Sequence, residues 1–331
     1  MLNWRKSRRR RYEGRCSSSA QCAQTKGGTG MNRVVGILLL IMGLSIIGEP
    51  AFSYELHQYE RYRRERTDDE ALVINRAPTV QGLTGGLMFT NSAYTKRAGH
   101  VALGVAVIGE NSDIPDYSIV QAIGTFTMGI TNSIELGGRA KVITANLGSA
   151  ATQEQGLGDT EIALKWRIRS QSSGKTIPAI ALGIGWMFPT GDGAKGFDEV
   201  QKNGLKFMVM ASSEARVLDD SFVGVYFEGQ AVLIDQITRS NIASQEMYGV
   251  VNAGLLFPIS EDNEVQFMLE YNQVFSKNFI TLGEGNYTAI GPALRYVNRY
   301  FNFAFGGQFV NKETAGYDDT MRYFLAMSLN F

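Results

Sequence analysis

From His100 to the end of the chain, apolar residues recur at every second position in run after run, with polar turn residues between the runs. A period of two marks a strand with one apolar face and one wetter face. The first run carries Val101, Leu103, Val105 and Val107; the second, over about 117–129, is less regular, with Val120, Ala122, Phe126 and Met128. A tight turn at Thr131 and Asn132 leads to Ile134, Leu136, Ala140 and Val142. The fourth reads Ile162, Leu164, Trp166, Ile168, and the fifth Ile180, Leu182, Ile184, Trp186, Phe188. Further runs cover 205–211, 223–233, 247–257, 265–271, 290–296, 301–309 and 323–331. The pattern predicts about twelve strands of about 9–13 residues, the length a tilted membrane strand needs.

The connections alternate as well. Short turns are expected at 130–133, 170–176, 217–220, 258–263 and 298–300, and longer polar loops at 109–116, 147–157, 189–203, 235–245, 276–286 and 311–319. Short turns at one end and long loops at the other follow the outer-membrane pattern, with both chain ends in the periplasm. An even strand count then requires the wall to begin near Gly99. Residues 80–90, with Leu83, Leu87 and Phe89, also alternate. A thirteenth strand would break the parity, so this segment is expected outside the wall, as part of a lumenal or periplasmic lead-in over 54–98.

Alternation alone does not say which face is outside. Twelve strands enclose an interior too wide to fill as small soluble barrels are filled. The polar faces carry mid-strand charges, among them Arg139, Lys141, Lys165, Arg167, Lys206, Glu228, Glu270 and Arg295. Trp166, Trp186, Phe188, Phe222, Tyr296, Tyr300 and Phe301 gather near strand ends, as interfacial girdles do. These features favour an all-β transmembrane antiparallel barrel with its apolar face in lipid.

The start of the chain supplies an address. Residues 1–30 are rich in Arg and Ser, hold both cysteines (Cys16 and Cys22) and read as a non-native upstream extension. Met31 opens a secretory signal, 31–53: Arg33, the apolar run Val34 to Ile47, and the small-x-small site Ala51-Phe52-Ser53. That run is shorter than the roughly twenty residues a spanning helix needs, although an uncleaved anchor is the rival reading. Cleavage after Ser53 would leave a mature chain without cysteine, held by its closed sheet rather than by disulfides. Lys+Arg 32 against Asp+Glu 32 gives no basic field for nucleic acid. The expected location is the outer membrane of a Gram-negative bacterium.

The last strand resembles the closing strand of bacterial outer-membrane barrels. It ends in Phe331 and repeats apolar residues back through Leu329, Met327, Leu325 and Tyr323, a signature that implies recognition by the barrel-assembly machinery. The middle of the chain carries Gly156-Leu157-Gly158-Asp159, then Lys165-Trp166-Arg167, Pro178-Ala179-Ile180-Ala181-Leu182-Gly183 and Pro189-Thr190-Gly191-Asp192. This order, with the lead-in Thr84-Gly85-Gly86, Asn91-Ser92-Ala93 and Gly99, resembles the outer-membrane family named for the meta-cleavage pathway of phenol degradation. The resemblance spans about 79–331. It implies a barrel and uptake of small, often apolar compounds, and it supplies no catalytic residues.

Candidate chemistry is sparse. The two histidines, His57 and His100, have no positioned nucleophile or acid nearby, which argues against an enzyme. The loop acids Asp192, Asp198 and Glu199 could hold calcium, but their spacing is nonspecific, so no metal or cofactor is expected. The lumen-facing candidates are Glu135, Arg139, Lys141, Glu161, Lys165, Arg167, Arg169, Lys206, Glu228, Glu270, Arg295 and Arg322. Glu264, Glu214 and Arg216 join the same face, and Glu135 should lie level with Arg167 or Arg169. A basic wall facing an acidic wall would set a field across a pore; alternatively, the charges pair and plug a narrow barrel. The block from Arg61 to Glu70 is either a solvated lead-in or a gate folded into the mouth. Pro292 could weaken a ladder and open a lateral exit. The expected function is passive or facilitated passage of small molecules, apolar or aromatic ones included. The alternative is a closed structural barrel whose loops bind lipopolysaccharide or a partner. Outer-membrane lipid and lipopolysaccharide are the expected surroundings.

Overall fold

The computed structural model describes residues 76–331, apart from 114–115, 148–152, 172–176, 196, 198–199, 201–202, 219–220, 238–242, 261–262, 277–285, 299 and 313–318. The expected signal peptide, the upstream extension, the charge block and His57 all lie outside the described residues.

Two short strands come first, β1 (Ala77–Pro78) and β2 (Thr84–Gly85), paired only with each other. The wall follows: β3 (Val101–Asp113), β4 (Asp116–Gly129), β5 (Ile134–Leu147), β6 (Gln153–Leu157), β7 (Thr160–Arg169) and β8 (Ala179–Phe188). It continues through β9 (Gly204–Leu218), β10 (Ser221–Ile237), β11 (Ala243–Pro258), β12 (Val265–Ser276), β13 (Tyr287–Val297), β14 (Phe301–Lys312) and β15 (Thr320–Asn330). All pairings are antiparallel, and β15 pairs with β3 from Met321↔Asn111 to Asn330↔Ala102, closing a twelve-strand barrel. Val101 N–H donates to Phe331 O (3.0 Å), and Phe331 N–H donates to Val101 O (2.8 Å). The closure therefore runs to Phe331, and each of β3 and β15 has a strand on both sides.

The fourth of the twelve positions around the wall is shared. β6 pairs with the outer half of β5 (Val142↔Leu157), while β7 pairs with its inner half (Arg139↔Glu161). Between them the register slips by one residue at Gly158-Asp159, a bulge that leaves the Asp159 side chain buried.

The apolar stripes face outward. Leu103 and Val105, Trp166 and Ile168, Ile184 and Trp186, Leu325 and Met327 are all exposed large hydrophobics, as lipid contact requires. No described helix is long and apolar enough to cross a membrane, and the strands do the crossing.

Three expected loops turn out otherwise, the first being 235–245, where β10 runs to Ile237 and β11 starts at Ala243. The span 109–116 is not a long loop, because β3 runs to Asp113 and β4 restarts at Asp116; 147–157 contains β6. Glu110 turns to the lumen and Asn111 outward, and both are polar, so the apolar alternation stops before the strand does. Pro292 does interrupt the β13–β14 ladder, which has no pairs at Gly291 and Pro292, but the two strands stay in contact. The β13–β14 register is the same on either side of it (Ile290↔Phe309, Ala293↔Gly306). A Cβ at Gly291 would fall 1.9 Å from Gly307 O, so the backbones touch there.

Candidate functional site: a plugged lumen

Residues 76–97 lie inside the barrel rather than in its wall. The segment starts near the end of β9 next to the short turns, where Arg76 pairs with Glu214 and stacks over Tyr94, 3.6 Å from the ring centroid. It rises to Val80–Phe89 and returns to Gly99, which leads into β3 at φ +77. Its large side chains, Leu83, Leu87, Met88 and Tyr94, are buried against small wall residues such as Ala106, Ala163, Ala181 and Ala304. Phe89 meets Phe324 of β15 edge-on, with ring centroids 5.4 Å apart. The turn at Gly82 (φ +79) presses on β5 so closely that a Cβ there would lie 2.3 Å from Gly138 O.

A ladder of two residue pairs, one further bridge and a few turn bonds satisfy only part of the plug's backbone, and the remaining buried N–H and C=O groups need partners. The wall's ionic side chains supply them. Glu135 accepts from Thr84 N–H (2.7 Å), Thr84 Oγ1 (2.6 Å) and Lys96 N–H. Glu270 accepts from Phe89 N–H (2.9 Å) and Thr90 Oγ1 (2.6 Å). Glu228 accepts from Asn91 N–H (3.0 Å) and Asn91 Nδ2 (2.7 Å). Lys165 works in the opposite sense. Its ammonium donates to the carbonyls of Thr84 (3.0 Å), Ser92 (3.3 Å) and Tyr94 (2.6 Å) and pairs with Glu135 at 2.9 Å, both side chains being 0% exposed. Ser212 and Thr127 add neutral bonds, accepting from Ala93 N–H (2.8 Å) and donating to Gly82 O (2.8 Å).

The other lumen candidates fall into place around this frame. Glu161 pairs with Arg139 (3.0 Å) and with Lys206, which also donates to Gln81 of the plug (3.2 Å). Lys141 is buried beside the Gly158 bulge, and Arg295 donates to Gln266 (2.8 and 2.6 Å). Arg167 is buried and donates to Asn132 O (2.6 Å). Arg322 pairs with Glu110 (3.0 Å) at the long-loop end, away from His100, because β15 runs antiparallel to β3. Arg169 departs from expectation: it is exposed past a register shift between Arg167 and Arg169, where the inner-face phase is lost. Glu135 lies opposite Lys165, not Arg167. Glu264 lies in the turn before β12 and accepts from Tyr296 OH (2.8 Å). The acidic and basic faces do not oppose each other across open water; they grip the plug and one another.

Sequence reasoning missed the role of Thr84, Thr90 and Asn91. It also missed Asp159, which accepts from Gly191 N–H (2.8 Å) and Val200 N–H (2.7 Å) and ties the β8–β9 loop inward. The Gly-Leu-Gly-Asp and Pro-Thr-Gly-Asp motifs therefore meet in space. Asp192 pairs with Lys195 (3.0 Å); Asp198 and Glu199 lie outside the described residues, and no metal-holding group occurs among those described.

Between plug and long loops the lumen holds a cavity of 190 Å³, floored by Val80, Gln81 and Phe89. Beside the plug, against β3, β14 and β15, only 20 Å³ remains, room for one or two waters.

A closed barrel with a lipid-facing apolar band and a lumen sealed by its own N-terminal segment defines an outer-membrane-type β-barrel. Solved structures agree with that class. An outer-membrane channel from Pseudomonas putida F1 superposes with a TM-score of 0.52 at 11% identity, covering 72% of this chain and 98% of that one. The NanC porin (TM-score 0.44, 11% identity, 68% and 98% covered) and LpxR from Salmonella typhimurium (0.46, 12%, 70% and 99%) are more distant. No protein-family model and no curated protein matches the chain.

Proposed function

We propose that the protein is a plugged outer-membrane channel that gives small molecules passive or facilitated passage when residues 76–97 move aside. The observation that carries this reading is what fills the lumen. A permanently closed barrel can be filled by its own wall side chains; here the wall contributes alanines beside larger residues such as Met208, Met210 and Tyr226, and much of the filler is one segment held by apolar packing and by polar bonds that water can replace. The motifs around Gly158, Lys165 and Gly191 support membership of the meta-pathway family, and with it apolar or aromatic cargo. In this reading the chain is not an enzyme, and lipopolysaccharide and the assembly machinery are its surroundings rather than its substrates.

The rival, a closed structural barrel acting through its loops, draws on the tightness of the seal. A cysteine lock separates the two. Ala93 N–H lies 2.8 Å from Ser212 Oγ, so an Ala93→Cys/Ser212→Cys pair is within disulfide reach once Cys16 and Cys22 are replaced by Ser. In planar bilayers the reduced protein should show conductance steps that vanish on oxidation. Equal traces in both states, or none in either, would overturn the channel reading.

A further inference from the structure

The 190 Å³ cavity above the plug has an unbalanced lining. Arg139 and Lys206 both hold Glu161, and Lys312 and Arg322 both hold Glu110. Lys141 is a fifth base on the same surface, so among the described lining residues five basic groups face two acidic ones, a surplus of three positive charges. Asp159, beside the Lys141 stem but outside the lining, already accepts from two backbone N–H groups and would lower the surplus by only one. Between the charged groups the wall mixes apolar residues, Ile108 and Ile119 on β3 and β4 and Val250 and Val274 on β11 and β12, with the amides Gln121, Gln230, Asn252 and Asn272.

These two properties select a ligand class together. A surplus of like charge in a cleft with low-dielectric walls focuses a field that concentrates the opposite charge. Apolar walls favour a ligand that removes hydrocarbon surface from water. A bare inorganic anion uses only the first, and a neutral hydrocarbon only the second. We propose that this vestibule binds small organic monoanions, a carboxylate or sulfonate on an apolar body, seated on the plug with the anionic end at Lys141 and the Arg139–Lys206 or Lys312–Arg322 pairs. Its use as the loading site for passage rests on the channel reading; its occupancy does not.

The test is calorimetric titration of the full-length protein in neutral detergent with benzoate, with the uncharged isostere benzamide, and with chloride. Charge-assisted hydrogen bonds exceed neutral ones enough that benzoate should bind about tenfold more tightly than benzamide. The preference should shrink with added salt, because the cavity opens to solvent. Lys141→Gln with Arg322→Gln should weaken benzoate by about tenfold and leave benzamide unchanged. Equal affinity for benzoate and benzamide, absence of heat for both, or chloride matching benzoate would each overturn the proposal, and all three are read on the unmodified protein. Conductance steps without benzoate binding would sink the site and spare the channel; benzoate binding without steps would do the reverse.

Discussion

Replacing Lys165 by Met should unseat the plug. The ammonium is fully buried, pairs with Glu135 at 2.9 Å and serves three carbonyls of residues 84–94. Methionine fills the stem's volume but leaves the Glu135 carboxylate buried beside uncapped carbonyls. Removing one member of a buried ion pair costs about 3–5 kcal/mol. All of these groups regain water if the plug withdraws, so the cost falls on the plugged state alone. The closed-to-open equilibrium should therefore shift by roughly two to three and a half orders of magnitude, at about 1.4 kcal/mol per factor of ten. The assay is the fraction of time spent in the higher-conductance state of single channels, with heat-modifiable electrophoretic mobility as the check that the barrel is intact. Adding Glu135→Gln removes the stranded charge, so the double variant should be less leaky than Lys165→Met alone. An open fraction within about threefold of the parent protein, or a double variant at least as leaky as the single, would refute this account of what holds the plug.

Other positions test other parts of the frame. Gly82→Ala forces a side chain into a left-handed backbone and against Gly138 O, a strain of about 1–3 kcal/mol, and should raise the open fraction without changing barrel mobility. Asp159→Ala leaves two backbone N–H groups without their carboxylate and should release the β8–β9 loop, read as faster proteolytic nicking within 189–203 at unchanged plug occupancy. Phe331→Ala keeps the backbone bonds to Val101, so refolding in detergent should be unchanged while assembly into the outer membrane falls; unimpaired assembly would remove the closing-strand signature from consideration.

The wall was legible because lipid enforces a single rule on every strand. Leu103, Trp166, Ile184 and Leu325 face hydrocarbon, so the period of two survives wherever a strand crosses the bilayer. Parity then placed residues 80–90 out of the wall. The interior obeys no such rule. Alanines of the inner face read as neutral in sequence, yet they are the recess into which Leu83 and Leu87 fit. Thr84 with Glu135 and Phe89 with Glu270 are 51 and 181 residues apart, and no local pattern joins them. Asp159 could be seen as part of a motif but not as a tether, since its acceptor role appears only when the bulge turns it towards Gly191.

The buried charges of the lumen also acquire a different meaning from the one a charge pattern suggests. An ionisable group inside a membrane barrel suggests an ion path, but most of these carboxylates face amide hydrogens, and Lys165 faces carbonyl oxygens. They substitute for the neighbouring strand that the plug lacks. A sheet ladder would have held the segment as firmly as the wall holds itself. Side-chain bonds can be exchanged for water one at a time, and the segment they hold is continuous with the wall at Gly99. A seal built this way shares an apolar cluster with the wall but no ladder, and the charges that first suggested a conduit help to hold it in place.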